Sequence, residues 1–149
     1  MAGVGGPELV VLVGLPASGK STFAQRFAAS HEIVSMDALP GRGDRRWRRD
    51  ATIQAALRAG RSVLVDAVNG TVTTRSRLLA LARVARVPAV AYYLDVSRAI
   101  CLARNRQRVG RARVPDVAIH ASAARLVPPR REEGFARVVR VEEATSPLT

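Results

Sequence analysis

The chain has 149 residues, of which 48% are hydrophobic and 24% charged, and its formal net charge is +12. These values fit one globular domain with a core of its own and argue against disorder. A single cysteine, Cys101, excludes an internal disulfide framework, and no apolar run approaches the roughly 20 residues that span a bilayer. Because the N-terminus lacks the basic segment of a signal peptide, we expect a cytoplasmic protein without a membrane partner.

The positive charge has two interpretations. Of the 24 basic residues, one is lysine (Lys20) and 23 are arginine. The excess could serve an acidic partner such as nucleic acid or a phosphorylated ligand. It could also reflect a coding bias that favours arginine over lysine. A coding bias explains neither where the arginines cluster nor why one lysine remains.

Hydrophobic spacing predicts strands that alternate with helices. Short β-branched apolar runs indicate buried strands, and apolar residues three and four apart indicate helices. The first helix should face the core through Phe23, Ala24 and Phe27, and the fourth through Val96, Ile100 and Ala103. In chain order we predict strand 8–13, a helix after Ser21 to about Ser30, strand Glu32–Ser35, helix Trp47–Ala59, strand Arg61–Asp66, helix Thr73–Ala85, strand Ala89–Leu94, a helix from Val96 to about Arg108, a helix from Pro115 to about Leu126 and strand Ala136–Val141.

This alternation predicts the fold class. Right-handed βαβ units place helices on both faces of a mainly parallel sheet, so we expect an α/β protein with three α/β/α layers. There is no repeat and no linker long enough to separate two domains. We therefore expect one domain over residues 1–149, with its core at about 8–141 and a polar tail at 142–149.

A complete phosphate-loop motif follows the first strand. Gly14 to Ser21 matches Gly-x-x-x-x-Gly-Lys-Ser between a predicted strand and a predicted helix, the context that the motif requires. Glycines let the backbone curl so that N–H groups point at phosphate oxygens, Lys20 supplies an ammonium, and the Ser21 hydroxyl can bind Mg²⁺. The motif predicts binding of ATP with Mg²⁺. The candidate nucleotide-binding residues of the loop are Gly14, Pro16, Ala17, Ser18, Gly19, Lys20, Ser21 and Thr22.

Two acids follow neighbouring predicted strands, at the edge where ligands bind open α/β sheets. Asp37 begins the irregular loop after the second strand and is the candidate general base toward an acceptor hydroxyl. Asp66 ends the third strand and is expected to act on Mg²⁺ through water. The alternatives are an exposed loop acid for Asp37 and a cap for Asp66. Asn69 could position the substrate, or Asn69-Gly70 could be a turn pair.

The arginines concentrate in two clusters. The first lies directly after Asp37 and suits a phosphate-bearing acceptor, with Arg42 as a candidate contact. Trp47 within it either stacks on a base or packs in the core, and the core role is preferred. The second has no acid between its members, which favours a lid over the triphosphate, with Arg104 and Arg108 on one helix face; a solvated charged face is the alternative. The clusters are Arg42, Arg45, Arg46, Arg48 and Arg49, and then Arg98, Arg104, Arg106, Arg108, Arg111 and Arg113.

Two further residue types give weaker signals. His31 and His120 lie far apart and lack metal-ligand spacing with Cys101, so we expect no zinc site. Cys101 is expected to pack inside its helix.

Together these motifs resemble the P-loop polynucleotide 5′-hydroxyl kinase family, which includes the kinase domains of nucleic-acid repair enzymes and small bacterial kinases with an AAA-type ATP-binding domain. The resemblance runs from about Leu9 to Val141 and implies a five-stranded parallel sheet in the P-loop kinase order. Its segments are Gly14–Thr22, Ser35-Met36-Asp37, Asp66-Ala67-Val68-Asn69 (where Val68 replaces the usual threonine), Arg104–Arg108 followed by Val114-Pro115, and Pro128-Pro129 with Glu133-Gly134-Phe135.

The resemblance implies roles for these residues. Asp37 would be the general base, and Arg104 and Arg108 would be the phosphate ligands of the lid. The segment from Pro128 to Phe135 would lie near the adenine. One departure concerns the acceptor, because the family usually carries an arginine three residues after the base and this chain has Pro40. Arg42 could take that role.

Three functions follow from these observations. The preferred one is an ATP-dependent kinase of a polynucleotide 5′-hydroxyl. The second is a small-molecule kinase for a sugar, nucleoside or antibiotic, which Pro40 favours. The third is a nucleotide-dependent protein that binds nucleic acid without transferring phosphate. The sequence leaves the acceptor and the oligomeric state open.

Overall fold

A computed structural model describes residues 6–35 and 45–142. They form five strands and five α-helices, which alternate except that two helices lie between the last two strands, and three short 3₁₀ turns. The strands are β1 (Leu9–Val13), β2 (His31–Ser35), β3 (Ser62–Asp66), β4 (Ala89–Asp95) and β5 (Arg137–Glu142). The helices are α1 (Lys20–Ala24), α2 (Arg46–Arg58), α3 (Val72–Ala85), α4 (Arg98–Arg106) and α5 (Asp116–Arg125), and the 3₁₀ turns are Gln25–Phe27, Gly110–Ala112 and Arg131–Glu133.

The strands form one parallel sheet in the order β2-β3-β1-β4-β5, which confirms the predicted α/β class and the five-stranded parallel sheet. β1 lies at the centre, where Val10 pairs with Leu64 of β3 on one side and with Val90 of β4 on the other. All five residues of β1 are fully buried, as a strand covered on both faces requires. Because the strands are parallel, the carboxyl ends of β1, β2 and β3 meet at one edge of the sheet.

Helices cover both faces of the sheet. Leu9, Val11 and Val13 of β1 pack with buried residues of α2 and α3 on one face, whereas Val10 and Leu12 pack with Phe23 and Ala24 of α1 on the other. A third cluster, containing Leu15, Cys101 and Ile119, lies beneath the phosphate loop and joins it to α4 and α5. Cys101 is buried, as predicted. In the described part of the chain, no helix is both long enough and apolar enough to cross a membrane.

Two helices differ from their predicted bounds. The first helix was predicted to reach about Ser30, but α1 ends at Ala24 and a 3₁₀ turn follows. The chain must reverse before β2 begins at His31, and bonds such as Ser30 N to Phe27 O (3.0 Å) tighten the backbone there. The fourth helix was predicted from Val96 to Arg108, but α4 runs from Arg98 to Arg106, with Ser97 Oγ accepting from Ile100 N at 3.2 Å as its cap.

Two side chains were assigned to the wrong environment. Trp47 was expected in the core, but it is 62% exposed. The buried stripe of α2 consists of Arg49, Ile53, Ala56 and Leu57, and Trp47 lies off that stripe. Ala103 was expected to face the core and is exposed, because the buried face of α4 is the one that carries Cys101 and Asn105.

Candidate nucleotide-binding site

The phosphate loop lies between β1 and α1, at the carboxyl edge of the sheet. Gly14 N donates to Val68 O at 3.1 Å, which ties the start of the loop to the turn after β3. A Cβ at Gly14 would lie 2.7 Å from Ser18 Oγ and 3.3 Å from the Leu94 carbonyl oxygen, so the position has room only for glycine. Gly19 has φ +99°, which other residues rarely adopt. The backbone is thus folded into the tight curve on which phosphate binding depends.

Lys20 is held directly over this loop. Its side chain is 9% exposed, and Nζ donates to Gly14 O at 3.0 Å and to Leu15 O at 2.9 Å. A buried ammonium is stable only when carbonyl or anionic oxygens surround it. Two carbonyls of the loop therefore fix the cation where the phosphates of a bound nucleotide would lie.

Ser21 and Asp66 form the second part of the site. Ser21 Oγ donates to Asp66 Oδ2 at 3.0 Å, which joins the start of α1 to the end of β3. A hydroxyl and a carboxylate side by side are the hard oxygen ligands that Mg²⁺ prefers, and Mg²⁺ keeps several waters when it binds. These residues fit a magnesium ion: they would hold it beside the loop, where it would supply positive charge to bound phosphates.

A cavity of about 570 Å³ brings the predicted residues together. Its walls combine the phosphate loop, the ends of β2 and β3 and the segment after α4. Arg108 and Arg111 come from that segment and add positive charge opposite Asp66. The lining residues are Pro16, Ala17, Lys20, Ser21, Ser35, Asp66, Ala67, Val68, Arg108, Arg111, Ala112 and Val114.

The two arginines expected on one helix face take different positions. Arg104 is exposed on α4, and its Nη1 donates to Ser18 O of the phosphate loop at 3.4 Å. Arg108 lies beyond the end of α4 and donates to Ala112 O at 3.1 Å. The prediction that both arginines lie on one helix face is wrong, because α4 ends at Arg106. Both side chains nevertheless lie beside the phosphate loop or its cavity.

Asn69 has a bracing role in the structure. It is 4% exposed, and its Nδ2 donates to Leu12 O of β1 at 2.7 Å. Its φ of +46° marks the turn that the Asn-Gly pair suggested. Substrate contact by this side chain stays a prediction. Asp37 and Arg42, the candidate base and acceptor contact, lie outside the described residues, and so does Pro40.

Sequence reasoning missed a buried ion pair beside the site. Arg75 of α3 has no exposed surface, and its guanidinium donates to both carboxylate oxygens of Glu133, at 2.8 and 2.9 Å. Burial raises the pKa of Glu133, but hydrogen bonds from Arg75 and the Arg130 N–H, with the charges of both arginines, outweigh it and lower the pKa overall. One signal was available, since Arg75 shares the inward spacing of Leu78, Leu79 and Ala82.

A second cavity lies at the opposite edge of the sheet. It measures about 760 Å³ and is lined at the amino ends of the strands by residues such as Glu8, His31 and Arg61. Its polar groups bond to one another, with His31 Nε2 2.8 Å from Glu8 Oε2 and Arg61 Nη2 3.2 Å from Glu32 Oε1. It shares no lining residue with the phosphate-loop cavity, so its size does not bear on nucleotide binding.

Comparison with known proteins agrees with this site. A family model described as an AAA domain matches residues 9–129. A bifunctional polynucleotide phosphatase/kinase from Schizosaccharomyces pombe (strain 972 / ATCC 24843) is 31% identical over 142 residues, which cover 90% of this chain and 33% of that protein. The chain therefore spans about a third of the length of this curated relative.

Solved structures share the fold at lower sequence identity. A fungal RNA kinase superposes with a TM-score of 0.73 at 14% identity, covering 93% of this chain and 39% of that one. A gluconokinase from Sinorhizobium meliloti 1021 superposes with a TM-score of 0.66 at 23% identity, covering 94% of this chain and 85% of that one. The family match over residues 9–129, together with the phosphate loop, shows that the chain belongs to the AAA domain family.

Proposed function

We propose that the protein transfers the γ-phosphate of ATP to a hydroxyl group, and that the acceptor is the 5′-hydroxyl of a polynucleotide. The observation that carries the proposal is the cavity in which Lys20, the Ser21–Asp66 pair and Arg108 face one another. Such a set of cations and metal-binding oxygens neutralises the charge that spreads over a phosphoryl group in transfer. Bound Mg²⁺ would add charge neutralisation on the β- and γ-phosphates.

The proposed base is Asp37. β2 ends at Ser35, which pairs with Asp66 and lines the cavity, and Asp37 follows two residues later in the sequence. Asp37 would take the proton of the acceptor hydroxyl while that oxygen bonds to the γ-phosphorus. The bond from the γ-phosphorus to its bridging oxygen would break, and ADP would leave. Lys20, Arg104 and Arg108 would hold the phosphate oxygens throughout.

Two observations support a polynucleotide acceptor. The relative from Schizosaccharomyces pombe is by name a polynucleotide phosphatase/kinase. Trp47 is 62% exposed at the first turn of α2, and the guanidinium of Arg48 lies 5.5 Å from its ring centre. An exposed indole among arginines offers a stacking surface for a base and positive charge for the strand.

Labelling of a 5′-hydroxyl oligonucleotide with γ-labelled ATP tests the proposal. We expect labelled product from the wild type and at least about a 100-fold lower rate from Asp37→Asn, because general-base catalysis contributes about that much. Glu32→Gln, which changes an acid at the opposite edge of the sheet, is the matched control and should keep the wild-type rate. Failure of the wild type to label any oligonucleotide, or full activity of Asp37→Asn, would refute the proposal.

A small-molecule acceptor is the second candidate. Pro40 replaces the arginine that similar kinases use for the acceptor phosphate, and the gluconokinase of similar fold matches this chain over 85% of its own length. A competition assay separates the two. Sugars, nucleosides and antibiotics are each mixed with a 5′-hydroxyl oligonucleotide, and phosphate transfer to a small alcohol in preference to the oligonucleotide would favour this candidate.

A further inference from the structure

The buried Arg75 donates in three directions from one guanidinium. Nε and Nη2 bind the two oxygens of Glu133 at 2.8 and 2.9 Å, and Nη1 donates to Asn69 O at 3.0 Å. Replacing a buried ion pair by apolar residues often leaves stability unchanged, so stability is a weak reason for such a pair. The guanidinium of Arg75 is planar, however, and its hydrogen bonds leave it at fixed angles. It can therefore define the position of Glu133 relative to Asn69.

The segment that this guanidinium holds is residues 127–134, here called the late segment. At one end of it, Val127 N donates to Gly70 O at 2.8 Å. At the other, Glu133 binds Arg75 and also accepts from Arg130 N at 3.0 Å. One end of the late segment is therefore bound to the turn between β3 and α3, and the other end to the first turn of α3.

The same turn also holds the phosphate loop. Asn69 Nδ2 donates to Leu12 O at 2.7 Å, and Val68 O accepts from Gly14 N at 3.1 Å. A chain of hydrogen bonds thus runs from Glu133 through Arg75 and Asn69 to Leu12 of β1, two residues before the loop begins at Gly14. Loss of the ion pair would free one end of the late segment while the contacts of the loop stayed intact.

A cavity of about 260 Å³ is lined by residues of the phosphate loop, β4, α4, α5 and the late segment. Leu15 of the loop and Pro128 of the late segment are among its walls. Seven of its eight lining residues carry apolar or aromatic side chains and the eighth is Arg98, and such side chains can stack on a planar aromatic base. The lining residues are Leu15, Tyr93, Leu94, Val96, Arg98, Ala123, Leu126 and Pro128.

We propose that Arg75 and Glu133 are a positioning pair that sets the affinity for the base of the nucleotide, by holding the Pro128 wall at a fixed separation from Leu15. The inference rests on the proposed function in one respect, since it requires a nucleotide on the phosphate loop. It requires neither an acceptor nor phosphoryl transfer. Its readout is therefore binding and not activity.

Calorimetric titration with ADP and with inorganic tripolyphosphate tests the inference. ADP contacts both the loop and the base cavity, whereas tripolyphosphate contacts the loop alone. In the double variant Arg75→Met/Glu133→Leu, which replaces the pair by apolar side chains of similar size, we expect the Kd for ADP to rise about tenfold. The Kd for tripolyphosphate should stay within about twofold of the wild type.

The matched control is Arg77→Met, which removes another α3 arginine whose partner, Asp50 at 2.8 Å, lies outside the late segment. It should change neither Kd. Urea unfolding checks that the double variant is folded, and if it is not, Glu133→Gln is titrated with the same expected ratio. Equal weakening of both ligands, or no change in either, would overturn the inference. A wild-type protein that binds neither ligand would refute the proposed function and the inference with it.

Discussion

Lys20 is the single lysine in a chain with 23 arginines. Its ammonium lies between two loop carbonyls at 3.0 and 2.9 Å and is 9% exposed. A guanidinium is planar and larger, and its fork cannot enter a space made for a compact cation. The space at position 20 therefore explains why this residue is lysine, even if a coding bias explains the arginines elsewhere.

We expect Lys20→Arg to lower kcat by about 100-fold or more, since it displaces the cation that we propose faces the γ-phosphate. The melting temperature should fall as well, because the larger guanidinium cannot keep both bonds that the buried ammonium makes to Gly14 O and Leu15 O. Arg58→Lys, at the exposed end of α2, is the matched control and should leave both quantities unchanged. Phosphate transfer by Lys20→Arg at the wild-type rate would show that a charge of either shape suffices.

An element was predicted well where its own residues determine it, and less well where the surrounding structure sets its ends. All five strands were predicted to within one or two residues, because each is a short apolar run with a breaker nearby. The first and fourth helices were placed less well. α1 ends early because the chain must reverse to enter β2, and α4 starts late because Ser97 caps it. Neither the chain reversal nor the Ser97 cap changes the spacing of apolar residues, so that spacing could not predict these helix ends.

The first turn of α2 has a surface whose function can be measured. Trp47 is the only tryptophan in the chain and is 62% exposed, so the intrinsic fluorescence of the protein reports on this turn. We expect a single-stranded oligonucleotide to quench it. Trp47→Ala should raise the KM for the oligonucleotide about tenfold, since stacking on one base is worth roughly 1–3 kcal/mol.

The KM for ATP should not change in Trp47→Ala, because the turn lies outside the phosphate-loop cavity. Trp47→Phe should restore part of the lost affinity, and Val84→Ala, at another exposed apolar side chain, should have no effect. Unquenched fluorescence at saturating oligonucleotide would remove Trp47 from the acceptor surface and favour a small-molecule acceptor.

At the scale of the whole molecule, the sequence predicts the class of sheet and the edge that carries the site. Local motifs predicted the phosphate loop, Asp66 and Arg108 as site residues, and residues of the loop line one cavity with Asp66 and Arg108. Arg75 and Glu133 could not be predicted in this way, since they are 58 positions apart and neither belongs to the phosphate-loop or strand-end motifs. Their pairing becomes visible only when α3 and the late segment pack together.

The Arg75–Glu133 pair should make the free energy of unfolding decrease as the pH falls. The hydrogen bonds and charges of Arg75 and Arg130 hold the pKa of Glu133 below its ordinary value of 4.5 in the folded protein. The unfolded chain therefore takes up the proton first, so the stabilisation is present above pH 4.5 and is lost as the pH falls through the folded pKa.

In urea unfolding between about pH 7 and pH 3, the wild type should lose stability more steeply than Arg75→Met/Glu133→Leu. The difference in slope cannot exceed about 1.4 kcal/mol per pH unit, because one proton is involved. Parallel curves would contradict a charged Glu133 in the folded protein.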